Sequence, residues 1–382
     1  MKKRVILVLG MHRSGTSSLT CALTTMGVNL GNNLLPPLAG VNPRGFFEDV
    51  EFLSLNVKIL DFLKSDWHHL SPLQGNYITE LASAGLLNEA CKLVCRKFET
   101  THLFGLKDPR IPKLLEFWKF VFDKCDISIS YVICVRSPLA VADSLNHRDR
   151  LPEEKSLHLW LDHTLNSFSH THSQDRVVVD YDRLLVAPRF ELGRISKHLG
   201  LELKEDLAKT YISEFLDSSL RNSCRVLDEG IDFRSITSLV RRTYSISLSA
   251  ASDQVDINDH SFLAATTALC TEFKYHGYFI RLIDDQTKAI RQRDLNINDL
   301  NIETEGLRTK LRELSQGASE INTLLAQQAS EIDRLNVELS RITTSNSWKI
   351  TRPMRAAGRL LRRVINLVLV CPVGHSSAMD DE

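Results

Sequence analysis

Residues 10–18 read GMHRSGTSS and follow the apolar run RVILVL directly. Two glycines separated by four residues, with Thr16 and Ser17 next, describe a turn whose backbone N–H groups converge on an anion at the start of a helix. Gly10 and Gly15 permit the turn, while Ser14, Thr16 and Ser17 add hydroxyls. The nucleoside-triphosphate form of this loop, G-x-x-x-x-G-K-[ST], has a lysine after its second glycine that reaches the β- and γ-phosphates. Thr16 stands at that position here, and the nearest cation is Arg13, inside the loop beside His12. A phosphate group is still expected, but the rest of the ligand must differ.

Further cations suited to anion chemistry are Lys107 in GLKDPR and Arg136 in VRSPLAVADSL. They can meet the loop only if a sheet collects them. Short apolar, β-branched runs at 4–9, 129–135 and 176–180, with a weaker one at 102–106, read as buried strands. Helical patterns lie between them at about 16–27, 47–64, 77–98, 138–147, 153–171 and 189–199. The alternation predicts an α/β domain of P-loop type, three layers α/β/α around a mostly parallel sheet. Ligands of such sheets sit at the carboxyl ends of the strands, where the loop, Lys107 and Arg136 all fall. The expected domain is 1–285, a core of 1–215 with a helical extension of 216–285.

This set of motifs resembles the sulfotransferase superfamily, in its bacterial carbohydrate-type branch. Arg13-Ser14-Gly15-Thr16-Ser17 matches the 5′-phosphosulfate loop P-[KR]-S-G-T-[TS], with His12 in place of the proline. Arg136 and Ser144, eight residues apart, look like the 3′-phosphate signature R-x7-S. Residues 42–48 are similar to N-P-x-G-[FHY]-[WF]-E, residues 105–110 to the K-D-P-R element, and 179–184 (VDYDRL) to a Y-E-D-L segment. The resemblance covers residues 4 to about 200, in order.

It implies 3′-phosphoadenosine 5′-phosphosulfate as donor, no metal, and in-line sulfuryl transfer to a hydroxyl or amine. Arg13, Ser14, Gly15, Thr16, Ser17, Arg136 and Ser144 would hold the donor, with charge from Arg148 and Arg221 beside the 3′-phosphate. Arg13 and Lys107 would stabilise developing charge. Arginine at position 13 keeps the charge but is no proton donor. Glu48 is the candidate general base and His12 the other. Blander roles stand beside these. Glu48 could cap the helix that starts near it, with Asp49 and Glu51 close by; His12 could orient the loop. Lys107 could pair with Asp108, and Arg136 and Ser144 could be a strand end and a cap.

Composition narrows the field. With 47 basic and 47 acidic residues in 382, a general nucleic-acid-binding role has no support. The eight cysteines are scattered; Cys91 and Cys95 read as one helix face, and a reducing compartment fits. The N-terminal apolar run is too short for a secretory signal, and no 18-residue apolar stretch exists. His158, His163, His170 and His172 lack the i, i+4 spacing of a helical zinc pair and read as exposed.

From 286 to 345 the character changes. With Ile297 at a heptad a position, twelve of fourteen a and d residues through Ile342 are Ile, Leu or Ala; Thr304 and Gln328 are the exceptions. A coiled coil and a homo-oligomer are expected, with a long helix packed on the globular domain as the alternative. The tail, 346–382, carries six cations from Lys349 to Arg363 and no acid before Asp380. Interleaved apolar residues suit a membrane-interface helix on an anionic surface; docking on a protein partner or on the coil is the alternative. The whole reads as a cytoplasmic enzyme, peripheral on the inner membrane face, acting on a surface glycan or lipid-linked saccharide. Its rivals are a magnesium-dependent kinase or NTPase, with VVVD at 177–180 as the metal strand, and a non-catalytic coiled-coil scaffold.

Overall fold

The computed structural model describes residues 2–38, 41–73, 75–216 and 235–369. Four parallel strands, β1 (Arg4–Leu9), β2 (Leu103–Lys107), β3 (Ser128–Val135) and β4 (Arg176–Asp180), form one sheet in the order β2-β1-β3-β4. The register sets Val8 beside Lys107 and Val132, and Val135 beside Asp180. From β1 the chain passes to β2 on one side and β3 on the other. The gap between β1 and β3 is therefore the switch point at which α/β folds bind ligands.

Both faces of the sheet are covered, which is why its strands are apolar without alternation. Val5, Leu7 and Leu9 join one core with α2 (Val50–Phe62), α4 (Leu86–Lys97) and α5 (Leu115–Lys124). Ile6 and Val8 join the other with α1 (Thr16–Leu23) and α9 (Pro188–Leu199). The expected three-layer α/β/α arrangement is present.

Several elements differ from the sequence reading. The pattern at 77–98 is two helices, α3 (Tyr77–Ser83) and α4, because Gly85 takes a left-handed φ of 78° between them. Helix α5 has no counterpart among the expected helices: LEFWKFVFDK is crowded with aromatics that obscure its period. Helix α8 (Tyr181–Val186) follows β4 without a loop, since the Asp180 side chain caps it directly. His158 and His163 are buried, against the expectation of exposed histidines. Their helix, α7 (Glu153–His170), is enclosed by α6 (Pro138–Asp149), α11 (Ser235–Ala251) and α12 (His260–Tyr275). Each Nδ1 donates to the carbonyl four residues back, Glu154 at 2.7 Å and Leu159 at 2.9 Å.

The chain divides into two compact units, residues 1–290 and the remainder from Arg291. The short helix α10 (Glu205–Thr210) and the helical turn Tyr211–Phe215 close the part of the first unit that precedes residue 217. Helix α13 (Gly277–Thr344) starts well before the heptad repeat and runs 68 residues. In the second unit its heptad leucines and isoleucines are exposed. The chain continues into α14 (Asn346–Ile350) and α15 (Arg352–Leu369). Arg221, most of the 216–234 stretch, and the tail beyond 369 lie outside the described residues. Among the described residues no helix is long and apolar enough to cross a membrane.

Candidate active site

The loop after β1 and the ends of β2 and β3 open onto a cleft of about 270 Å³. Gly15 begins α1 with φ 92° and no side chain capping the helix, so the α1 N-terminus faces the cleft with backbone donors free for an anion. A Cβ on Gly15 would lie 2.1 Å from the Tyr181 ring; no other residue fits. Arg13 itself sits at φ 70°, a left-handed conformation that arginine rarely adopts.

That backbone aims the Arg13 side chain across the loop. Its Nε donates to Ser144 Oγ on α6 at 2.8 Å, and Nη1 donates to the Val41 carbonyl at 3.0 Å. Arg136, just past the end of β3, donates from Nη1 to the Arg13 carbonyl at 2.9 Å and lies 5.2 Å over the Tyr181 ring. Two arginines from either side of the switch point thus brace one loop. Both line the cleft, whereas Ser144 is buried behind Arg13 with its hydroxyl turned to that guanidinium. The α6 cap is Ser137, which accepts from Ala140 N, so neither Arg136 nor Ser144 has the capping role.

Lys107, the last residue of β2, is 3% exposed and holds three groups at once. Its Nζ donates to Glu48 Oε1 at 2.6 Å, to the Phe46 carbonyl at 3.1 Å and to Ser17 Oγ at 3.3 Å. Asn42 Nδ2 also reaches Ser17 Oγ, at 3.2 Å. The segment 41–48 is thereby folded over the phosphate-type loop. Glu48 does not cap α2. Asp49 does, accepting from Glu51 and Phe52 N–H, and Lys97 takes both Asp49 and Glu51 away from the cleft at 2.6 and 2.5 Å. The Lys107–Asp108 pair does not form either: Asp108 is occupied by Arg110 at 2.9 Å and by Asn56 Nδ2 at 2.9 Å.

His12 lines the same cleft, its ring centroid 4.4 Å from that of Trp67. Burial, and then the Arg148 guanidinium, hold its pKa well below the usual imidazole value, so the ring is neutral at physiological pH. His12 Nε2 and Ser14 Oγ are buried polar atoms with no hydrogen-bond partner among the described residues. Arg148 also lines the cleft, with its guanidinium 5.7 Å over the same Trp67 ring.

Trp67 is invisible to sequence reasoning, because nothing in SDWHHLS signals a site. Its backbone N–H donates to Asp66 Oδ1 at 2.6 Å, and what anchors the stretch just after it lies more than 200 residues on. Buried Asp284 in α13 accepts from Leu70 N at 2.9 Å, Ser71 N at 2.7 Å and Ser71 Oγ at 2.7 Å. Tyr181 does stand in the VDYDRL segment, yet its contact with Gly15 cannot be read there.

Asp180 corrects the reading of 177–180 as a metal strand. Its carboxylate accepts from Asp182 N at 3.0 Å to cap α8, and it is absent from the cleft lining. Burial raises its pKa to about 6. Among the described residues no cluster of three His, Cys, Asp or Glu side chains is placed to share a metal ion.

No protein-family model matches the chain, and no curated protein matches it by sequence. Solved structures do show similarity. The sulfotransferase domain from the curacin biosynthetic pathway is similar over 64% of this chain and 98% of its own, at 14% identity and a TM-score of 0.39. The sulfotransferase domain from the Synechococcus PCC 7002 olefin synthase is similar over 64% and 96%, at 17% identity and a TM-score of 0.39. Retinol dehydratase, in complex with androsterone and inactive cofactor PAP, is similar over 64% and 80%, at 14% identity and a TM-score of 0.31.

Proposed function

We propose that the chain is a sulfotransferase that moves a sulfuryl group from 3′-phosphoadenosine 5′-phosphosulfate to a hydroxyl or amine of its acceptor. One observation supports this most. The lysine that the triphosphate loop would carry after Gly15 is missing, and a buried lysine arrives instead from the neighbouring strand, clasping Ser17 and Glu48. A cation and a carboxylate then stand together beside the anion site, as transfer to a protic acceptor requires.

The residues fit the donor. The uncapped α1 N-terminus, with Thr16 and Ser17 on the cleft wall, suits its 5′-phosphosulfate. Arg136, backed by Arg13, Ser144 and Arg148, suits its 3′-phosphate. Once bound, the donor supplies an activated sulfuryl group whose departure leaves charge on a phosphate oxygen.

The chain's own groups have separable tasks. Arg13 is a fixed cation, anchored before any ligand arrives, so it costs no reorganisation during reaction; such a donor is worth on the order of 10²–10³ in rate. Glu48 takes the proton of the acceptor hydroxyl, a task worth roughly 10²–10⁴. Protonating Glu48 also removes its charge from Lys107, whose ammonium then acts undivided on the negative charge that builds nearby. His12, neutral and packed on Trp67, shapes the wall and orients the loop.

For the acceptor we propose a surface glycan or lipid-linked saccharide, supported by the carbohydrate-type G-F-F-E element and by the basic C-terminal helix. That helix would hold the enzyme peripherally on the inner membrane face. The heptad stripe would pair with a second copy of the chain: a parallel, in-register pair sets Glu303 at g opposite Arg308 at the next e and opposes no like charges.

The test is calorimetry with 3′-phosphoadenosine 5′-phosphate in the absence of metal, beside ATP with and without magnesium. Tight metal-free binding of the bisphosphate, lost in Arg136→Ala, is expected. Magnesium-dependent ATP binding with no bisphosphate signal would overturn the reading.

A further inference from the structure

The cations of the second unit are sorted very differently along its length. From Arg291 to Thr344 seven cations are interspersed with nine carboxylates; from Ser345 to Val364 six cations stand with no carboxylate at all. Five of the six, Arg352, Arg355, Arg359, Arg362 and Arg363, fall on α15. At 3.6 residues per turn they occupy a single arc of about 100°, while Met354, Leu360, Leu361 and Val364 occupy the opposite side. All four of these apolar side chains are more than half exposed.

We propose that α15 lies flat in the surface of an anionic membrane, its apolar arc among the acyl chains and its arginines level with the lipid phosphates. The charge pattern selects this occupant. A nucleic acid or an acidic protein groove would neutralise the arginine arc and leave the leucines in water. A neutral apolar groove would do the reverse. Only an interface that is apolar on one side and anionic on the other satisfies both arcs together.

The entry to the helix is shaped for the same boundary. Ser345 caps α14 through Trp348 N, and the Arg355 guanidinium lies 3.5 Å from the centroid of the Trp348 ring. An indole carrying a cation on its face is at home at headgroup level. Lying flat is also what the length and charge allow, since α15 is about 27 Å long with five arginines.

This names the lipid class for the membrane hold proposed above, but it is read without turnover and stands or fails apart from the donor. The experiment is co-sedimentation of the full chain with vesicles of phosphatidylcholine, with and without phosphatidylglycerol. Binding is expected only to the anionic vesicles, weakening as salt rises, with a blue shift of tryptophan emission that Trp348→Phe removes. Removing three charges as Arg359→Gln, Arg362→Gln and Arg363→Gln together should weaken binding about a hundredfold. Leu360→Asp with Leu361→Asp should abolish it.

Equal binding to both vesicle types, or Leu360→Asp/Leu361→Asp binding as the parent does, would overturn the flat insertion. So would tryptophan emission that vesicles leave unshifted in the parent, or shift equally in Trp348→Phe. Retention on heparin without vesicle sedimentation would assign the arc to a soluble polyanion instead, and the proposal would fall.

Discussion

Leu7 and Leu311 are the same side chain in opposite circumstances: the first is fully buried, the second 69% exposed. The contrast runs through the two units. In residues 1–290 even some charges are internal, with Lys107 answered by Glu48, Ser17 and Phe46, and Arg13 by Ser144 and Val41. From Arg291 onward the apolar residues of the heptads and of α15 face outward. The first unit completes its packing within one chain, so its stability and its site belong to that chain. In the second, the free energy of burial waits for another surface, because an isolated helix gains little from its own propensities. Apolar type does not decide exposure; the supply of a partner does.

The largest expected effect attacks the internal completeness of the first unit. Lys107→Met leaves the buried Glu48 carboxylate with only the more distant Arg110 guanidinium, at 4.0 Å, as counter-charge, and breaking a buried pair typically costs about 3–5 kcal/mol. Urea unfolding should show that loss, and turnover should fall at least about a hundredfold. Adding Glu48→Gln should restore most of the stability and none of the activity. An unchanged unfolding midpoint in Lys107→Met would mean that the pair carries nothing.

A smaller effect on the first unit, and a decisive one on the second, is expected from Leu311→Lys with Leu325→Lys. If the heptad stripe pairs as proposed, charges at two a positions should dissociate the pair in analytical ultracentrifugation while the melting of residues 1–290 stays put. Should the globular unit melt earlier as well, the two regions are not independent.

The smallest effect sharpens the picture of internal charge. Asp180, at about 6 in the folded chain against an ordinary 3.8, binds its proton more tightly folded than unfolded. Stability from this group is therefore full below 3.8 and is lost as pH rises through 6. Asparagine keeps the cap without titrating. Asp180→Asn should thus stabilise by about 1–3 kcal/mol at neutral pH and be nearly neutral below pH ~4. A pH-independent gain would place the cause elsewhere.

Much of this architecture is legible in the residues alone. The reading of 4–9 and 176–180 as strands matches β1 and β4, 102–106 is β2 shifted by one residue, and 129–135 lacks only the first residue of β3. Strands buried on both faces announce themselves as continuous apolar runs, and the loop glycines announce a turn. Helix α5 escapes such a reading because burial on nearly every side erases the period that marks a helix. The buried histidines of α7 escape it for the same reason: a polar-looking helix is enclosed by three others, and each ring finds a carbonyl within its own helix.

The residues alone set the strands and most of the helices, the groups that gather at the strand ends, the heptad pattern of 297–342 and the one-sided charge of α15. Those are local facts, set by turn chemistry, burial period and the spacing of side chains on a helix. Only the tertiary structure decided who meets whom. Lys107 takes Glu48, 59 residues away, rather than its neighbour Asp108. Ser144 stands behind Arg13, and Trp67 backs His12 a few residues before the backbone that Asp284 holds. Those pairings follow from strand order and register, which set the distances between remote side chains and leave no trace in any local pattern.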